Sequence, residues 1–338
     1  MSKPTLKTLA EATGFAQTTV SRALKDDPKI AIATRQRVAS AAREIGYVPD
    51  RAAQRLRTGR TNVIAFVSSP HAEIIGFRGS MMAGLSEELK GTAYHVTMTP
   101  YDTDANPMRP IQNIVRNRLA DGLIFSGTQP RDQRVDYLLE TGFPFVTHGR
   151  TDGAGGHAWC DYDNGRFVEL ALERLAGQGC RTVVLFRPAP DLTYARHMTE
   201  AAVRAGARLG LTVTHPRSAT LSSRASEIHD LVVRQITSGS APDAYLCPGE
   251  VPALAVIAAI EDCGCSVGGD IAVLAKQTSS VFDLIRPRID TIYEDLHAAG
   301  ASLGRLLLRR IDGEPPERLQ HLHAPQERFR PGGRLITA

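Results

Sequence analysis

Apolar residues follow two rhythms along this chain, and the change falls near residue 60. Before it, Leu6, Leu9 and Ala10 make a stripe on a short first helix that Gly14 ends. A second helix over residues 17–25 follows after a turn too short to let the two separate. Val38, Ala42 and Ile45, spaced i, i+4 and i+7, predict a third helix with Gly46 just past its end. Beyond residue 60 the pattern becomes short β-rich runs alternating with amphipathic helical stretches. VIAFV (63–67), HVTMT (95–99), DGLIFS (121–126) and PFVTHG (144–149) form a first series. TVVLF (182–186), LTVTH (211–215), AYLC (244–247) and IAVLA (271–275) form a second. This alternation predicts two parallel, doubly wound α/β units. RPRIDTIYED (286–295) then crosses back, and a helix ending with Leu303 to Ile311 completes the first unit.

The second helix has an unusual polar face. Gln17, Thr18, Ser21, Arg22 and Lys25 fall within an arc of roughly 140° at about 100° per residue, while Val20, Ala23 and Leu24 lie opposite. A face of donors and acceptors without acids suits a polar, anionic partner. Helix, tight turn, helix and a supporting helix is the helix-turn-helix layout, in which the second helix enters the DNA major groove.

Charge sharpens this reading. The net charge is +4, but residues 1–60 carry 12 Lys/Arg against 5 Asp/Glu, and the rest of the chain carries 28 against 31. A basic head on a mildly acidic body meets a polyanion through the head alone. No apolar run approaches 18 residues, and MSKPTLKTLAEATG has no signal-peptide core, so a cytoplasmic protein without membrane contact is expected. The five cysteines have no zinc-like spacing and read as reduced structural thiols, with no metal or other cofactor.

The stretches TLKTLAEATGFAQTTVSRAL and TRQRVASAAREIGYVPDRAAQRLRTGRT resemble the DNA-binding head and hinge of the LacI/GalR family of bacterial transcriptional regulators. Its TVSR core, IGYVP junction and AAQRLRTGRT hinge occur together, and the rest of the chain follows the family's order. The resemblance implies base contacts by Gln17, Thr18 and Arg22, and phosphate contacts by Thr5, Thr19, Ser21 and Thr34. Chemically this is sound: Gln pairs bidentately with adenine and Arg with guanine, while hydroxyls position without reading sequence. Ala16 and Ala31 stand where the family usually has capping serines, a loss of about 1 kcal/mol each.

The hinge, PDRAAQRLRTGR (49–60), puts Ala52, Ala53 and Leu56 on one face among arginines. About seven residues are too few for a helix alone in water. The resemblance implies that two such helices pair on the minor groove, with Ala53, Leu56 and Arg57 as the contacts and Leu56 wedged into a base step. It also implies a homodimer on a palindromic operator, and a periplasmic-binding-protein-like body with ligand between two lobes. The expected division is 1–47 for the head, 48–61 for the hinge, 62–160 with 291–322 for one lobe, and 161–290 with 323–338 for the other.

Ligands of such sheets sit at the carboxyl ends of the strands. The polar and aromatic residues placed there, His71, Phe77, Tyr101, Ser126, His148, Arg150, Glu250, Lys276, Gln277 and Glu294, form the candidate effector site. Arg196 and His197 join them where the family usually places a ligand-binding arginine. So many donors and acceptors suit a neutral polyol. The KQ (276–277) and HGR (148–150) signatures resemble a subgroup of sugar and glycoside regulators from soil and plant-associated bacteria, which points to a disaccharide or plant glycoside such as sucrose. A transcriptional repressor switched by that carbohydrate is the expectation. A sugar-transport component would share the body, but it has no use for a basic head. The chain has no Gly-rich phosphate loop, GxSxG or HExxH, so an enzyme is not expected.

Overall fold

The computed structural model describes residues 4–48, 55, 58–68, 74–100, 106–153 and 156–330. The chain divides into a unit of residues 1–61 and one of residues 62–338. In the first, α1 (Leu6–Thr13), α2 (Gln17–Ala23) and α3 (Ile32–Glu44) enclose a small core of Leu9, Ala10, Val20, Ala23, Val38 and Ala42. Thr5 caps α1: its hydroxyl accepts from Thr8 N at 3.2 Å, and Thr8 Oγ1 accepts from Thr5 N at 3.3 Å. Gly14 closes α1 at φ 73°, a conformation that costs little without a Cβ.

The helix expected over 17–25 is two residues shorter. Lys25 N and Asp26 N bond back only three residues, to Arg22 O and Ala23 O. Asp26 then takes φ 56°, and the chain turns. Neither Ala16 nor Ala31 offers its helix a side-chain cap. The hinge residues Ala53, Leu56 and Arg57 lie outside the described residues, as do His71 and Tyr101.

The second unit holds two six-stranded sheets. The first contains β1 (Val63–Ser68), β2 (His95–Pro100), β3 (Gly122–Ser126), β4 (Phe145–His148), β5 (Trp159–Tyr162) and β11 (Gln320–His323), in the order β11-β5-β4-β3-β1-β2. The second contains β6 (Thr182–Leu185), β7 (Thr212–Thr214), β8 (Ala244–Cys247), β9 (Ala272–Gln277), β10 (Asp290–Tyr293) and β12 (Gln326–Arg328), in the order β12-β10-β9-β8-β6-β7. Every pairing is parallel except β10 with β12. Helices cover both faces, among them α4 (Phe77–Glu88), α5 (Met108–Arg116) and α6 (Gln133–Thr141) in the first lobe. The second lobe carries α7 (Asn164–Gly177), α8 (Thr193–Leu209), α9 (Ala225–Thr237), α10 (Glu250–Asp262) and the short α11 (Val281–Leu284).

The exchanges between lobes differ from the expected ones at three places. Asp161 and Tyr162, assigned from sequence to the second lobe, extend β5 in the first sheet, where they pair with Leu322 and His323. Thr291–Tyr293, assigned to the first lobe, lies in the second sheet beside Ala275–Gln277. His323, assigned to the second lobe, belongs to β11 of the first. In each case a strand completes its backbone hydrogen bonds before the chain leaves its sheet, because a buried strand edge would leave those groups unpaired. The last helix, α12 (Leu296–Ile311), returns to the first lobe and packs on α4. Two glycines bring these helices together: a Cβ on Gly84 would lie 1.9 Å from His297 O, and one on Gly300 would lie 2.1 Å from Met81 O.

Candidate DNA-reading face and effector cleft

On α2, Gln17, Thr18 and Arg22 are exposed, while Val20 and Ala23 are buried against α1 and α3. The polar arc is therefore outward-facing along the described helix. Thr19, Ser21 and Thr34 are partly buried beside it, and the exposed Thr5 hydroxyl is engaged in the α1 cap. Arg22 Nε donates to Asp27 Oδ2 at 2.9 Å. That bond, helped by Lys29 N, holds the Asp27 carboxyl below the usual carboxylate range.

In the body, an open cavity lies between the two lobes, with about 600 Å³ of empty space that includes the solvent at its mouth. Of the expected effector residues, Phe77, Ser126, His148, Arg150, Lys276 and Glu294 line it. Phe77 begins α4, Ser126 and His148 end β3 and β4, and Lys276 stands near the end of β9. The Phe77 and His148 rings lie 5.7 Å apart at a tilt of 56°.

Charge in the cavity is paired. Lys276 Nζ lies 2.8 Å from Glu294 Oε2 and donates to Asn164 Oδ1 at 2.8 Å. The same ammonium sits 4.3 Å from the centre of the Tyr162 ring, which offers its electron-rich face. His148 Nε2 is 3.9 Å from the other Glu294 oxygen. Arg150 Nε lies 3.0 Å from Asp161 Oδ2, an ion pair by distance, although its N–H is not aimed well enough for a hydrogen bond. Burial pushes Asp161 up to about 6 against the pull of Arg150, and the nearby Glu294 charge adds to the rise.

Four expected residues are not among those lining the cavity. Glu250 is fully buried: its Oε1 accepts from Thr278 N, Ser279 N and Ser279 Oγ at 2.8–2.9 Å, and its Oε2 accepts from Ile75 N at 3.1 Å. It thereby ties the second lobe to the backbone of the first. Gln277 is buried too, donating to Ser279 O at 2.7 Å and accepting from Thr291 Oγ1 at 2.8 Å. Arg196 pairs with Asp152 across the lobes and with Glu200 one turn along α8. The His197 Nδ1 atom is buried without a hydrogen-bond partner; burial and the charges of Arg150 and Arg196 lower its pKa, which favours the neutral ring.

Asp161, Tyr162, Asn164, Thr128, Thr193 and Tyr194 line the cavity without having been singled out from the sequence. WCDY is not an apolar run, so it does not announce a strand. The available signal was Asp163, which accepts from Arg166 N and caps α7: a helix start marks the end of whatever strand precedes it. Two of these residues carry buried oxygens with no hydrogen-bond partner, Tyr162 Oη and Thr193 Oγ1. An unmet polar atom beside a cavity is a place for a ligand group.

All five cysteines are free thiols, and three are buried. Among the described residues no group of His, Cys, Asp and Glu could hold a metal ion, and no helix is long and apolar enough to cross a membrane.

Comparison with known proteins agrees with this architecture. The family of bacterial regulatory proteins called lacI matches residues 5–50, and a periplasmic binding protein-like domain matches residues 172–333. The HTH-type transcriptional regulator AglR of Rhizobium meliloti is 32% identical over 92% of this chain and 90% of its own length. Two solved structures share the fold. The lac repressor dimer bound to operator and the anti-inducer ONPF aligns with a TM-score of 0.84 at 20% identity, over 99% of this chain and 100% of that one. A complex of the transcriptional regulator CelR with cellobiose aligns with a TM-score of 0.70 at 22% identity, over 98% of this chain and 100% of that one. The chain belongs to the lacI family of bacterial regulatory proteins. It is a transcriptional regulator with a helix-turn-helix head and a two-lobed α/β body, not an enzyme.

Proposed function

We propose that this regulator represses transcription by binding a palindromic operator as a homodimer, and that a neutral carbohydrate held between the lobes switches its operator affinity. The observation that carries the effector reading is the charge pairing in the cleft. Lys276 faces Glu294 and Arg150 faces Asp161, so a charged ligand would meet one favourable and one unfavourable partner in each pair. Polar atoms without partners, Tyr162 Oη and Thr193 Oγ1, together with the flat face of Phe77, suit a hydroxyl-rich ring instead. A disaccharide or plant glycoside, for example sucrose, is the class favoured by the sequence signatures, and cellobiose is the ligand named for CelR.

On the DNA side, the reading assigns base edges to Gln17, Thr18 and Arg22, phosphates to Thr5, Thr19, Ser21 and Thr34, and the minor groove to Ala53, Leu56 and Arg57. A fluorescence-anisotropy titration onto DNA from upstream of its own and neighbouring genes, with and without a panel of disaccharides, tests both halves. Tight, salt-sensitive binding weakened by one sugar is the expected result. Tight binding indifferent to every sugar would remove the carbohydrate effector. No sequence-specific binding would remove the repressor.

A further inference from the structure

We propose that Asp27 is a specificity-determining residue: it orients the Arg22 guanidinium so that its two terminal nitrogens face the DNA. This rests on the reading of Arg22 as a base contact. Arg22 is exposed on the outward face of α2, and its Nε is already committed to Asp27 Oδ2 at 2.9 Å. The two terminal nitrogens lie on the far side of the planar group from the Cδ–Nε bond, and together they match the O6 and N7 acceptors of guanine. An unrestrained arginine must lose rotamer freedom on binding; one held by a carboxylate has lost much of it beforehand.

Asp27 is itself held. Its Oδ1 accepts from Lys29 N at 2.9 Å, which fixes the carboxylate plane against the turn. The preceding Asp26 sits at φ 56° with its carboxylate and carbonyl both bonded to Arg35 of α3. The turn that carries the orienting acid is thus anchored to the supporting helix. A carboxylate this close to a polyanion is costly by charge alone. A role in placing Arg22 explains its presence beside that side chain.

The two effects make opposite predictions for one substitution. Asp27→Asn keeps an acceptor for Lys29 N, removes the charge, and weakens the hold on Arg22. Binding by the full-length protein is measured to a duplex that the wild type selects from a randomised pool, and to a scrambled duplex of equal length. Asp27→Asn is expected to weaken the selected duplex at least about fivefold, to leave the scrambled duplex unchanged or tighter, and to flatten the preference at the guanine that Arg22 reads. In an Arg22→Ala background the same change should cost no further discrimination. Equal weakening of both duplexes by Asp27→Asn would make Asp27 a fold-stabilising residue and overturn the proposal. Tighter binding to both would mean that the pair holds Arg22 away from DNA, and would overturn it too. If Arg22→Ala itself weakens both duplexes equally, the base-reading role of Arg22 fails instead, and that result is separable from the others.

Discussion

Lys276 Nζ and Glu294 Oε2 stand 2.8 Å apart, both side chains almost wholly shielded from water, Lys276 near the end of β9 and Glu294 just past β10, where the chain leaves for α12. The pair joins the second sheet to the segment that crosses back to the first lobe, so it lies in the effector cleft and on a lobe connection at once.

Breaking this pair from one side leaves a buried charge uncompensated, which costs about 3–5 kcal/mol. Lys276→Met should therefore lower body stability in urea by about that amount. Lys276→Met with Glu294→Gln should recover most of it, since no charge is then stranded. A single variant as stable as the wild type would show that the pair contributes nothing to the folded state.

Stability should fall as pH rises through the Asp161 titration. The unfolded carboxyl titrates near 3.8 and the folded one near 6, so between those values the folded chain holds the extra proton. Uptake by the folded state means that stability declines from about pH 4 to about pH 6, by about 3 kcal/mol for a shift of roughly two units. Asp161→Asn should flatten that part of the curve, whatever it does to absolute stability. An unaltered slope in urea melts at pH 4, 5 and 6 would refute the assignment.

The α4–α12 contact depends on two missing side chains. Gly84→Ala would drive a methyl into the His297 carbonyl, a backbone atom that cannot rotate aside. A loss of about 1–3 kcal/mol is expected from such overpacking, measured by urea unfolding. Gly79→Ala, on the same helix with open space around its Cβ position, is the control and should be neutral or stabilising.

In the head, Ala16 and Ala31 occupy N-cap positions with extended ψ of 145° and 140°, the geometry in which a serine hydroxyl reaches the helix amides. Ala16→Ser and Ala31→Ser should each raise head stability by about 1 kcal/mol. Slower amide exchange in the first turns of α2 and α3 would register the gain; unchanged exchange would show that water already satisfies those amides.

Much of the candidate site was legible because strand ends in parallel α/β sheets converge. Ser126, His148, Arg150 and Lys276 were placed by that argument, and they line the cleft. Glu250 and Gln277 stand at equally plausible positions, yet Glu250 accepts from amides and a hydroxyl of the loop after β9 and from Ile75 N, and Gln277 turns to the Ser279 carbonyl and the Thr291 hydroxyl of β10. Position along a strand says which end of the sheet a residue occupies. It does not say whether a closer partner has already taken its polar atoms. Asp161 and Tyr162 escaped notice for the reverse reason: β5 is as long as β4, β6 and β8, but WCDY lacks the apolar run that marks a strand.

The sequence by itself determined the elements and their order, because periodicity, glycine breaks and charge are local properties of the chain. The three helices of the head, their outward polar face, and the two βα series of the body all followed from it. Tertiary structure alone decided which sheet each late strand joins. Asp290–Tyr293 and Gln320–His323 are both short β segments near the chain's end, and only the unpaired edges available in each lobe send one to the second sheet and the other to the first. It also decided the cleft's chemistry, since Lys276, Asn164 and Glu294 become one buried cluster only when segments more than a hundred residues apart close around the same space.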